Sequence, residues 1–135
     1  MDDRSLHVTQ AEFAVLEVLW NKRTATIRQI VDEIYPEATS SQYATVQKLL
    51  DRLEGKNIVH RDSTSFAHVF SAAIERADLV DSDLQAVADK LCEGSLTPLL
   101  LHLVKRTNLS VRERDELRQL LDDHQSNSKK RGRKS

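Results

Sequence analysis

One cysteine, Cys92, is the chain's whole stock of thiol. That excludes an internal disulfide and any multi-cysteine metal site. Cys92 lies in an apolar helical stretch and reads as a small buried hydrophobe, with a redox sensor as the alternative. Only two prolines and three glycines occur in 135 residues, which points to a mainly helical chain with short connections. Aromatics amount to 4%, so Leu, Val and Ile must build the core. No apolar run approaches the roughly 18 residues needed to span a bilayer. The start, Met1-Asp2-Asp3-Arg4-Ser5, lacks the basic and apolar regions of a signal peptide. The expected location is therefore the cytoplasm. His7, His60, His68, His102 and His124 show no metal-ligand spacing and none lies beside a nucleophile in sequence. A Gly-rich phosphate loop is also missing. The expectation is no metal, no cofactor and no enzymatic activity.

Charge is abundant but nearly balanced, at 30% of residues and a net of −1. Its distribution is uneven. Residues 1–74 carry a net of −2, residues 75–125 a net of −4, and residues 126–135 a net of +5. A nucleic-acid surface in the folded part must then be a local patch.

Three helices are predicted in the first half. Thr9 with Glu12, and Thr26 with Gln29, have capping-box spacing. The first helix should reach Trp20 or Lys22 with Phe13, Leu16 and Trp20 inward. The second carries Ile27, Ile30, Val31 and Ile34 on one stripe and ends at Pro36. The third, about Ser41 to Gly55, buries Val46, Leu49, Leu50 and Leu53, and Gly55 or Asn57 can close it. Two alternating segments around a polar loop, Ile58–Arg61 and His68–Ser71, read as a β-hairpin. Three helices and a hairpin form the order of a winged helix-turn-helix, so the fold class is mainly α with a small hairpin.

In such a motif the second of the turn-linked helices reads base edges. On the third helix, 100° per residue places Ala44, Gln47, Lys48 and Asp51 opposite the core stripe. Ser41, Gln42, Tyr43 and Thr45 gather at its N-terminal end. Gln suits adenine, Lys suits guanine, and Ala or a Thr methyl suits the thymine methyl. Arg52 and Arg61, with His68 on the wing and Arg28 beyond, are phosphate candidates. The same face serves equally as an ordinary solvated surface, and Asp51 fits that reading better.

The second half is expected to form three helices. The first runs from about Arg76 to Glu93, with Leu84, Val87 and Leu91 on one face. Leu96 to Val104 follows, and Ser110 with Glu113 opens the last. In the middle segment Leu96, Leu99, Leu100, Leu101, Leu103 and Val104 cover nearly the whole circumference. Such a helix needs neighbours on all sides, which favours a second copy of the chain over an intramolecular core. Leu117 and Leu121 continue the apolar set. The expected division is a winged DNA-binding domain at 1–74, a helical dimerisation domain at 75–124 and a disordered basic tail at 125–135. Lys129-Lys130-Arg131-Gly132-Arg133-Lys134 in that tail resembles a minor-groove arm, with a solvated tail or phosphate tether as the plainer reading.

Several blocks also resemble one family. Thr9-Gln10-Ala11-Glu12-Phe13 and Leu19-Trp20, Tyr43-x-Thr45-Val46, Arg52-Leu53-x-x-Lys56-x-Ile58-Val59-x-Arg61 and Leu99-Leu100-Leu101…Glu116-Leu117 are similar to the penicillinase-repressor family of BlaI/MecI type. The resemblance spans about Leu6 to Asp122. It implies a homodimeric repressor on an inverted-repeat operator in double-stranded DNA. It also implies relief by a membrane-bound sensor metalloprotease that cleaves within the C-terminal half. The matching bond is His102-Leu103, where the best-known members have Asn-Phe. A copper-sensing branch of the family uses a cysteine cluster that this chain lacks. The alternative from a different class is a winged-helix protein–protein adaptor without DNA binding.

Overall fold

The computed structural model describes residues 6–37 and 39–132, with side chains described through residue 125. Helix α1 (Gln10–Lys22) opens on the expected capping box: the Thr9 hydroxyl accepts from the Glu12 N–H, and Glu12 Oε1 accepts from the Thr9 N–H. It closes at Arg23, whose φ is 71°. A two-residue strand, β1 (Thr24–Ala25), follows. Helix α2 (Ile27–Ile34) repeats the box with Thr26 and Gln29. Tyr35, in the extended conformation required before Pro36, ends it. Helix α3 (Ser40–Gly55) starts one residue before the sequence-based boundary. Its cap is Thr39, whose N–H donates to Gln42 Oε1. Asn57, at φ 63°, makes the left-handed turn out of α3, while Gly55 stays within the helix.

Strands β2 (Val59–Asp62) and β3 (Val69–Ala72) form the predicted hairpin. Arg61 pairs with Phe70 and Asp62 with Val69. Strand β1 adds antiparallel to the other edge of β3, with Ala25 opposite Phe70, giving the order β1-β3-β2. Two residues of strand are too few to carry any periodic signal, so β1 was not legible in sequence.

Leu16, Leu19, Ile30, Val31, Val46, Leu50, Leu53, Ile58 and Phe70 are all buried in one core beneath the sheet and between the three helices. Burying side chains of this size stabilises by about 1.5–3 kcal/mol each before entropy is set against it. The one buried charged residue among those described is Glu12. Lys56 Nζ lies 2.9 Å from its Oε1 and also reaches the His7 carbonyl. The first turn of α1 is thereby tied to the residue that follows α3. Burial opposes the Glu12 charge, but the Thr9 N–H and the Lys56 ammonium outweigh it and hold the carboxyl below its ordinary value.

Helices α4 (Arg76–Leu91), α5 (Thr97–Arg106) and α6 (Val111–Gly132) complete the chain. The start of α4 is fastened to the winged half: Arg76 lies over Phe13 and Trp20, the Trp20 indole N–H donates to the Ile74 carbonyl, and Ser82 Oγ accepts from the Leu6 N–H. Gly94, at φ 84°, turns the chain from α4 into α5. Ser110 and Glu113 exchange hydrogen bonds as the cap of α6.

The expected disordered tail is corrected in part, because α6 continues to Gly132. Lys, Arg and Gln are good helix formers, and a helix satisfies its own backbone without burying a side chain. Residues 133–135, and with them Arg133 and Lys134 of the arm-like motif, lie outside the described residues, as do the side chains of 126–132.

Candidate nucleic-acid interface

Helix α3 presents two distinct sides. Val46, Leu49, Leu50 and Leu53 are buried, as their spacing predicts, while Ser41, Ala44, Thr45, Gln47, Lys48, Asp51 and Arg52 are exposed. The core holds the inner side rigidly, so the outer side chains project from a fixed scaffold. Lys48 and Arg52, one turn apart, give this face its positive charge.

Three of the expected contact residues are engaged within the fold itself. Gln42 Oε1 accepts from both the N–H and the hydroxyl of Thr39, which fixes its side chain at the cap. Tyr43 is half-buried and packs against the core. Thr45 Oγ1 donates to the Ser41 carbonyl at 2.9 Å, a bond within the helix itself.

Beside α3 stands the hairpin. Asp62 Oδ1 accepts from the N–H and hydroxyl of Thr64 at 2.9 and 2.7 Å, which orders the start of its loop. Those bonds hold the Asp62 carboxyl below its usual range. The loop itself carries no cation, and Phe66 at its tip is wholly exposed.

Arg61 does not stand free at the surface. Its Nη2 lies 2.8 Å from Asp51 Oδ1 and 3.0 Å from Glu54 Oε1, and Nε donates to the same Glu54 oxygen at 3.2 Å. Nη1 is 3.1 Å from His68 Nδ1. The guanidinium also lies over the Phe70 ring, 4.9 Å from its centroid. Of the two wing candidates, then, Arg61 and His68 are brought together with each other. Glu54 and Phe70 carry no signal of this role in sequence, because only the fold of β2 against α3 makes them neighbours.

The second candidate surface is apolar. Leu84, Val87, Leu91, Leu96, Leu100, Leu103 and Leu121 are exposed, with Leu91 at 70% and Leu121 at 60%. Leu99 and Leu117 are half-buried. Leu100, Leu101, Val104, Leu109, Leu117 and Leu121 line an open groove between α5 and α6. His102 and Leu103 are exposed within α5. Cys92 is half-buried at the end of α4. Among the described residues no cluster of His, Cys, Asp or Glu could hold a metal ion, and no helix is long and apolar enough to cross a membrane.

The sequence profile of the penicillinase repressor family matches residues 8–123, which include both surfaces. The chain belongs to the penicillinase repressor family. Similar members are the penicillinase repressor of Staphylococcus aureus, 28% identical over 125 residues with 91% of this chain and 97% of that protein covered, and the methicillin resistance regulatory protein MecI of Staphylococcus aureus, 26% identical over 122 residues with 90% and 98% covered. A solution structure of monomeric BlaI from Bacillus licheniformis in complex with the blaP half-operator is similar at TM-score 0.46 and 23% identity, over 56% of this chain and 90% of that one. The family match stops short of the basic residues 129–134.

Proposed function

We propose that this family member is a sequence-specific DNA-binding transcriptional repressor that acts as a homodimer on an inverted-repeat operator. The observation that carries the reading is the outer side of α3. Ala44, Gln47, Lys48 and Arg52 are exposed there on a helix whose other side is fixed in the core. A helix of this shape fits the major groove of B-DNA, where Gln and Lys discriminate base edges. The apolar faces of α4, α5 and α6 supply the reason for two copies, since single chains rarely leave so many neighbouring leucines in water. In this division of labour the winged half contacts DNA and residues 75–124 join the subunits. Two half-site contacts then reinforce each other through their effective concentration.

Relief of repression by a sensor metalloprotease at His102-Leu103 belongs to the same reading. Both residues are exposed, but they lie inside α5, so the helix would have to open locally before a protease could hold the backbone. The test is selection of duplexes from a random pool by the full-length protein, followed by binding titrations against salt and sedimentation of the complex. A palindromic consensus bound by two chains supports the reading. No enrichment, and no affinity at low salt, would favour the protein–protein adaptor instead.

A further inference from the structure

We infer that Arg61 serves DNA binding through the protein's own carboxylates: it neutralises Asp51 and Glu54 on the recognition helix and does not itself hold a phosphate. The inference rests on the reading of α3 as the DNA-contacting helix. Asp51 lies one turn beyond Gln47 and Lys48 on the exposed side, with its side chain 55% exposed, and Glu54 follows at 42%. Left alone, these two carboxylates would stand where the phosphate backbone approaches, and like charges at an interface oppose association.

The geometry around Arg61 removes that conflict. Each of its three guanidinium nitrogens has a partner within 3.2 Å, and two of them serve the carboxylates. The Phe70 ring, fully buried in the core, supports one face of the group. Only 21% of the Arg61 side chain remains exposed, against the much freer carboxylates it covers. To reach a phosphate, Arg61 would have to abandon both acids and return two negative charges to the DNA-facing side. The exchange gains one ionic contact and restores two repulsive ones, so the arrangement is better kept in the complex. His68 completes the cluster, its Nδ1 lying 3.1 Å from Nη1, which assigns it to the support of Arg61 as well.

The test uses full-length protein and a duplex recovered by selection from a random pool. Arg61→Ala should weaken binding about tenfold or more, because it uncovers both acids. The combined variant Arg61→Ala, Asp51→Asn, Glu54→Gln should return to within about threefold of the wild type, since nothing is left to neutralise. Arg61→Lys, which keeps the charge with fewer donors, should also stay within about threefold. Thermal unfolding of each variant shows whether the winged half remains folded. If the triple variant binds as weakly as Arg61→Ala while melting like the wild type, Arg61 touches DNA directly and the inference falls. It falls equally if Arg61→Ala binds with unchanged affinity, or if a folded Arg61→Lys loses as much affinity as Arg61→Ala. Failure of the wild type to bind any duplex would overturn the DNA-binding reading itself, which the variants cannot do.

Discussion

Gln47 and Lys48 are exposed beside each other on α3, and among the described residues the nearby acids Asp51 and Glu54 pair with Arg61. Replacing either by Ala should therefore leave the melting temperature almost unchanged while weakening binding to a selected duplex by about 1–3 kcal/mol and relaxing its base preference. An unchanged preference in Gln47→Ala, read from a second round of selection, would remove Gln47 from the base-reading set. Glu12 is the opposite kind of residue, buried and fully engaged. Its carboxyl is held below the ordinary value in the folded chain. The stability it contributes is therefore complete above the unfolded Glu value and is lost as pH falls through the lower folded one. Glu12→Gln should melt earlier at neutral pH, by about 1–2 kcal/mol, and lose less stability than the wild type on acidification. Lys56→Met should be the harsher change, about 2–3 kcal/mol, because it leaves the carboxylate buried without its cation. Calorimetry between neutral pH and about pH 3 measures all three.

At the scale of the element, caps decided boundaries more firmly than hydrophobic stripes did. Thr9 with Glu12, Thr26 with Gln29 and Ser110 with Glu113 are legible because a hydroxyl and a carboxyl or amide three residues apart can satisfy two helix-end N–H groups within one turn. The Thr39–Gln42 cap was missed because serines at 40 and 41 offered equally good starts. Its consequence reaches the site, since Gln42 looks like a base reader in sequence and acts as a cap in the fold. Thr26→Ala should cost about 1 kcal/mol, with the loss confined to α2 and to the β1 strand it follows. Hydrogen exchange resolved by residue would show that pattern, and a loss spread evenly over the winged half would count against it.

For the whole molecule, two regimes meet at α4. Upstream, the side chains of one core are buried within a single chain; downstream, the leucines of α5 and α6 lie mostly in water. Leu100→Asp, which sets a charge in the groove between α5 and α6, should weaken self-association at least tenfold, or about 1.4 kcal/mol and more. Operator affinity should fall with it as the second half-site contact is lost. Sedimentation across a concentration series checks the first effect, and the melting of the winged half, whose core contains none of these residues, controls for unfolding. A dimer of unchanged strength would place the subunit contact elsewhere.

The order of helices and hairpin, the buried stripe of α3 and the exposed row opposite it were all written in the sequence, because each depends on residues within a few turns of one another. Period and capping are local, and local physics can be read along a chain. The ion pair of Glu12 with Lys56, the strand β1 at the sheet edge and the enclosure of Arg61 by Asp51, Glu54, His68 and Phe70 depend on residues brought together from different elements. Arg61 shows the difference most clearly. By residue type it is a phosphate ligand, and only the packing of β2 against α3 gives its charge to two carboxylates of the same chain.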